Sequence, residues 1–148
     1  MNPTLDADDA EQDGGSADAN LGMTTEALRC VLLADRHVSL VEGVRDLLKT
    51  TFDVVVMVAD EASLCESARC MHFALAIVDL SLTRNNGLAL IRRIRRLFPE
   101  LKLIALSVHM EKHVQEAVIA AGANGFVLKQ FIATDLLPAV DSCLRGTP

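Results

Sequence analysis

Short, nearly continuous apolar runs alternate along this chain with longer segments of helical period. The runs cover residues 30–34, 54–58, 74–78, 101–106 and 125–128. Their apolar character is almost unbroken rather than alternating, which predicts strands covered on both faces. Between them, Leu40, Val41, Val44, Leu47 and Leu48 recur at spacings of three and four and form one apolar helical stripe. Leu88, Ile91, Ile94 and Leu97 make another, and Val114, Ala117, Val118 and Ala121 a third. A last segment, roughly 133–145, carries Leu136, Leu137, Val140 and Leu144 on one side. Pro99 is placed to end the third helix and Gly122 the fourth. Five strand-then-helix units predict an α/β domain, a doubly wound, mostly parallel five-stranded sheet with five helices. Right-handed crossovers put helices on both of its faces.

Composition adds bounds. The chain has 148 residues, 51% of them apolar, which is one domain's worth with a real core. No apolar run approaches the roughly 18 residues of a membrane-spanning helix, and the opening residues lack the basic flank and apolar stretch of a secretory signal. The net charge of −6 is unevenly placed. Residues 1–28 hold seven acids and no Lys or Arg, whereas 29–148 hold 13 acids and 14 basic groups. The expected organisation is a disordered acidic leader over 1–28 and a near-neutral folded domain over 29–146. Cys30, Cys65, Cys70 and Cys143 form no CxxC, so buried thiols in a reducing cytoplasm are expected rather than disulfides or a zinc site.

Ligands of such a sheet bind at the carboxyl ends of the strands, near the point where strand order reverses. The residues at those ends are Asp35-Arg36-His37, Asp60-Glu61, Asp79, Ser107 and Lys129. Two carboxylates, a hydroxyl and a lysine on one rim suit phosphoryl transfer. A carboxylate can act as nucleophile toward a phosphoryl donor, while a cation and an oriented donor stabilise the transferring oxygens. A second acid can help to hold Mg²⁺, which takes oxygen ligands. Nucleotide binding is the competing chemistry. It lacks its glycine-rich turn, because neither GxGxxG nor GxxxxGK[ST] occurs. A small hydrolase on this sheet would need a nucleophile elbow, and no GxSxG is present.

Leu32-Leu33-Ala34-Asp35, Ile77-Val78-Asp79-Leu80 with Gly87-Leu88, Ala105-Leu106-Ser107, and Gly122-Ala123-Asn124-Gly125-Phe126-Val127-Leu128-Lys129 resemble, in order and spacing, the receiver domain of bacterial two-component response regulators. The resemblance covers about residues 29–146 and is strongest to the LuxR/NarL-type subfamily, whose members usually carry a helix-turn-helix output domain. It implies a flavodoxin-like, CheY-like fold. It also implies Asp79 as phosphoacceptor, with Asp35, Asp79 and the backbone carbonyl of Ser81 as ligands for Mg²⁺. Ser107 would be the switch hydroxyl, Lys129 the cation that pairs with the phosphoryl group, and Phe126 the aromatic switch residue. The implied donor is a sensor histidine kinase or phosphotransfer protein. The implied output is an altered surface on the fourth helix, fifth strand and fifth helix that engages a protein partner, with a homodimer left open. A receiver's gain and loss of its own phosphoryl group is self-modification, so no enzyme acting on a separate substrate is expected.

The departures from the family pattern are as informative. Where the family has a second acid after the first strand, this chain has Arg36, and Thr83 stands where a proline is usual. The chain runs only about 19 residues past Lys129, which leaves no room for a DNA-binding domain and leads to the expectation of a single-domain protein. With Arg36 present, Asp35, Asp79, Arg36 and Lys129 sum to zero formal charge. A unit charge at about 4 Å is worth roughly 4 kcal/mol at an effective dielectric of about 20, so an inward guanidinium weakens Mg²⁺ binding severely. An outward one leaves a weak metal site. Two readings follow: a working phosphoreceiver in which Arg36 partly replaces Mg²⁺, or a degenerate receiver that acts as a phosphorylation-independent interaction module. Arg92, Arg93, Arg95 and Arg96 read as the solvated face of the third helix, so direct nucleic-acid binding is not expected. His37 reads as a supporting group beside the acids, and His109 and His113 as exposed residues near the fourth helix.

Overall fold

The computed structural model describes residues 28–84 and 86–146, so the expected acidic leader, apart from Leu28, lies outside the described residues. Five strands, β1 (Cys30–Ala34), β2 (Val54–Val58), β3 (Leu75–Asp79), β4 (Leu103–Ser107) and β5 (Gly125–Leu128), form one sheet in the order β2-β1-β3-β4-β5. Every neighbouring pair is parallel. This is the flavodoxin-like order, and the order reverses between β1 and β3. Helices α1 (Val38–Leu48), α2 (Glu61–Cys70), α3 (Gly87–Leu97), α4 (Lys112–Ala121) and α5 (Ile132–Arg145) connect the strands and close the chain.

Successive strand side chains point to opposite faces, and the core divides accordingly. Val31, Leu33, Leu75, Ile77, Ile104 and Leu106 meet the stripes of α1 and α5, including Val41, Val44, Leu48, Leu136 and Val140. Leu32, Ala34, Ala76, Val78, Leu103 and Ala105 meet Leu64 of α2, Leu90, Ile91 and Ile94 of α3, and Val118 of α4. Coverage on both faces is complete for β1, β3 and β4, all of whose residues are buried. It is incomplete for β2, an edge strand whose residues are half-buried and whose Met57 is exposed. The third and fourth strands also end one residue later than the apolar runs do. Asp79 and Ser107 therefore close their strands instead of following them. Leu101 belongs to the turn after α3, where its N–H donates to the Phe98 carbonyl.

Local signals set the helix ends. Asp60 caps α2 by accepting from the Ser63 N–H (2.7 Å), and Asn86 caps α3 by accepting from the Ala89 N–H (2.9 Å). Phe98, non-helical before Pro99, stops α3, and Gly122 stops α4 at φ 125°, a conformation open to glycine. Gly87 starts α3 pressed against the turn after β3, where a Cβ would sit 2.8 Å from the Leu80 carbonyl oxygen.

Two of the four α3 arginines are not solvated as expected. Arg93 forms a two-pronged pair with Glu61 of α2, both bonds 2.7 Å, and this pairing holds the Glu61 carboxyl below its ordinary value. Arg95 donates to the carbonyls of Gly122, Pro99 and Leu101 and to the Asn124 side chain, at 2.7–3.1 Å for the closest bonds. It thereby satisfies carbonyls at the ends of both α3 and α4 that helical hydrogen bonding leaves open. Only Arg92 and Arg96 are exposed. The cysteines are all free, but burial holds for only two: Cys30 and Cys143 are buried, Cys65 is half-buried and Cys70 is exposed. Arg95→Ala is expected to destabilise the domain by about 2–3 kcal/mol, whereas Arg96→Ala changes stability by less than about 0.5 kcal/mol. Urea unfolding of the two variants checks the difference.

Candidate functional site

Parallel register brings the strand ends to one rim. Ala34 pairs with Val78, Asp79 with Leu106, and Ser107 with Leu128. The next residues, Asp35 opposite Asp79 and Lys129 one position past the partner of Ser107, therefore emerge on the same rim, near the point where strand order reverses. Neighbouring strands stand about 4.8 Å apart, within reach of short side chains. Asp35, Asp79 and Ser107 are the three buried polar or charged residues of the described structure, at 4%, 2% and 2% exposure. Their burial in a parallel sheet is sustained only by partners.

The Lys129 ammonium supplies the central one. Its Nζ lies 3.0 Å from Asp35 Oδ2 and 3.1 Å from Asp79 Oδ2, and the side chain is 9% exposed. The second oxygen of Asp35 accepts the His37 backbone N–H (2.9 Å) and lies 2.9 Å from His37 Nδ1. Burial pushes the Asp35 carboxyl up. The His37 N–H and the Lys129 ammonium more than offset that and hold it below its ordinary value. Asp79 Oδ1 accepts the Ser81 N–H (3.2 Å), and Oδ2 accepts the Ser81 hydroxyl (2.6 Å). His37 Nδ1 is also 3.5 Å from Asp79 Oδ2 and 3.2 Å from Lys129 Nζ. Because its ring turns into this cluster, His37 stands at the N-cap of α1 without a side-chain capping bond.

Ser107 accepts the His109 N–H at its hydroxyl (2.9 Å). Asp79, Ser107 and Lys129 line one open cleft of about 580 Å³, and Ser81 and Arg36 line it too. Arg36 is exposed and makes no hydrogen bond or ion pair among the described residues. Phe126 does not line the cleft; it is half-buried and packs against the core layer beneath α2, α3 and α4.

Asp35, His37 and Asp79 bring their ligand atoms within 4.8 Å of one another, a cluster that can hold a metal ion. Its oxygen donors suit Mg²⁺, which proteins hold through one or two carboxylates with the remaining positions filled by water or phosphate. Any such ion competes with Lys129 for Asp35 Oδ2 and Asp79 Oδ2. The His37 ring reaches both acids and the lysine, consistent with a supporting group beside the acids, and its position two residues after Asp35 is the sequence signal for it. The Ser81 hydroxyl bond to Asp79 had no sequence signal beyond its two-residue spacing.

The fold agrees with what comparison finds. Residues 31–141 match the family model described as the response regulator receiver domain. The chain is 31% identical over 121 residues to the transcriptional regulatory protein RcsB of Escherichia coli (strain K12), covering 78% of this chain and 56% of RcsB. It is 30% identical over 121 residues to the methanol utilization control regulatory protein MoxX of Paracoccus denitrificans, covering 78% of this chain and 53% of MoxX. Both relatives are of LuxR/NarL type. The chain thus spans about half the length of the curated relatives it matches. Among solved structures, the isolated receiver domain of RcsB from Salmonella enterica serovar Typhimurium in its apo form superposes with a TM-score of 0.73. It is 31% identical and covers 80% of this chain and 90% of that one.

Removing the ammonium leaves two buried carboxylates facing each other. Lys129→Met is expected to cost about 3 kcal/mol at neutral pH, and adding Asp79→Asn recovers most of it; a urea double-mutant cycle measures the coupling. Asp35 titrates lower in the folded than in the unfolded chain, so the unfolded chain binds more protons on acidification. Its contribution is complete above the unfolded carboxylate value, about 3.9, and is lost as pH falls through the folded value. The urea midpoint of Asp35→Asn should therefore fall less than that of the parent between about pH 5 and about pH 3.

Proposed function

The chain belongs to the response regulator receiver family, and from that premise we propose that it accepts a phosphoryl group on Asp79 from a phosphohistidine of a sensor histidine kinase or phosphotransfer protein. The observation that carries this reading is the convergence of Asp79, Ser107 and Lys129 on one cleft, with the acceptor buried but lining it.

Asp79 Oδ1 is the less engaged oxygen, accepting the Ser81 N–H alone among the described residues, and it is the nucleophile. It attacks phosphorus, the bond from phosphorus to the donor imidazole nitrogen breaks, and the nitrogen keeps the electron pair. The product is an acyl phosphate. Lys129, already 3.1 Å from the acceptor carboxylate, moves onto the phosphoryl oxygens and offsets their developing charge. The Ser107 hydroxyl exchanges its present bond from the His109 N–H for the phosphoryl group. Asp35, Asp79 and the Ser81 carbonyl would hold Mg²⁺, which when bound supplies positive charge to the phosphoryl oxygens.

The output is a two-state change in the surface of α4, β5 and α5. Ser107 closes β4 directly before α4, and Phe126 in β5 packs beneath that helix. An electrostatic event at the cleft thus biases an element with two arrangements. That surface engages a protein partner or a second copy of the chain. We infer that the chain acts in the cytoplasm as a phosphorylation switch, not as an enzyme with a separate substrate.

Incubation with acetyl phosphate, with and without Mg²⁺, should add the mass of one phosphoryl group to the intact chain. Asp79→Asn abolishes the increment and Lys129→Met slows it by about 10²–10³-fold. Ser107→Ala still acquires the group, but amide shifts in α4 and β5 no longer follow it. Absence of the increment in every condition favours the phosphorylation-independent interaction module.

A further inference from the structure

Asp79 is the one acidic side chain lining its cleft among the described residues. The other ionisable side chains there are Arg36, Arg84 and Lys129, which carry fixed positive charge, and the imidazoles of His37, His109 and His113. Asp35 lies beneath, bonded to Lys129 and His37, and does not line the cleft. Three fixed positive charges thus line the space through which an ion or a phosphoryl donor arrives, against Asp79 at its wall and Asp35 beneath, for a net charge of +1 with the histidines neutral. That balance attracts a dianionic phosphoryl group and weakens, without abolishing, the hold of Asp35 and Asp79 on a divalent cation.

Arg36 and Arg84 come from different loops, after β1 and after β3. Both are exposed, and neither forms a hydrogen bond or ion pair among the described residues. A guanidinium without a carboxylate partner, beside a site for a phosphoryl group, presents a planar fork of donors that fits two phosphate oxygens at once. Lys129 differs, being already committed to the two buried acids.

Resting on the phosphoacceptor reading above, we propose that Arg36 binds the phosphoryl oxygens during transfer to Asp79 and supplies the positive charge that a divalent metal would otherwise bring. Phosphorylation of this chain then proceeds with little dependence on Mg²⁺. Arg36 is a catalytic residue in the strict sense, touching the group in transfer, and Arg84 adds to the attraction from the neighbouring loop.

The test uses the full 148-residue chain. Acetyl phosphate labelling is followed by intact mass in EDTA and in excess Mg²⁺, for the parent, Arg36→Gln and Arg36→Asp. In parallel, Mg²⁺ alone is titrated against each protein by amide chemical shifts. The parent should label in EDTA within about threefold of its rate in Mg²⁺, whereas Arg36→Gln slows by about tenfold in EDTA. Arg36→Asp should slow further in EDTA, recover in Mg²⁺, and bind Mg²⁺ about tenfold more tightly than the parent. The Arg36 side chain is exposed and unbonded among the described residues, so both variants should keep the parent's amide spectrum elsewhere. Labelling of the parent in Mg²⁺ only, with both variants matching it in rate and Mg²⁺ affinity, overturns the proposal and leaves the phosphoacceptor function standing. No labelling of the parent in either condition overturns both.

Discussion

One ammonium group holds two buried carboxylates together, and the geometry of the site follows from it. Lys129 Nζ stands about equally far from Asp35 and Asp79, at 3.0 and 3.1 Å. Burying two like charges at the end of a parallel sheet is unfavourable without such a partner, because desolvation and mutual repulsion act in the same direction. The lysine inserted between them offsets that cost. The His37 N–H and the Ser81 N–H and hydroxyl then fill the remaining oxygens.

Around this knot the cleft shows a division of labour by charge. The acids are withdrawn: Asp35 lies below the cleft floor and Asp79 is only just accessible. The free cations are at the surface. Arg36 and Arg84 therefore make the approach more positive than Lys129 and the two buried acids alone would leave it. The arginines of α3 show the opposite use of the same side chain. Arg93 is spent on Glu61, and Arg95 on the carbonyls at two helix ends. Side-chain type alone does not separate these roles, but the partners that the fold supplies do.

Legibility in the sequence varied from element to element for definable reasons. The runs at 30–34, 54–58 and 125–128 coincide with β1, β2 and β5. In those strands, apolar character stops where the strand stops. Asp79 and Ser107 end β3 and β4, whereas the apolar pattern sets them one residue past the strands, because a polar residue at a strand end looks like the start of a loop. The edge position of β2 was likewise invisible in its uninterrupted valines. Arg95 read as solvated because four arginines in five positions resemble an exposed face. Its partners lie 3 to 29 residues away, at distances that depend on where α4 ends.

Apolar periodicity alone determined the α/β class, the number of strands and helices, and the strand ends at which polar groups gather. It could do so because burial of each run and stripe is a local demand that any sheet of this kind must meet. Tertiary structure decided which of those polar groups touch. It turned the His37 ring inward, set Lys129 between two acids, and left Arg36 and Arg84 without partners among the described residues. Such contacts depend on the register of parallel strands far apart in the chain and on a balance of buried charge summed over all of them. No single stretch of sequence carries that sum.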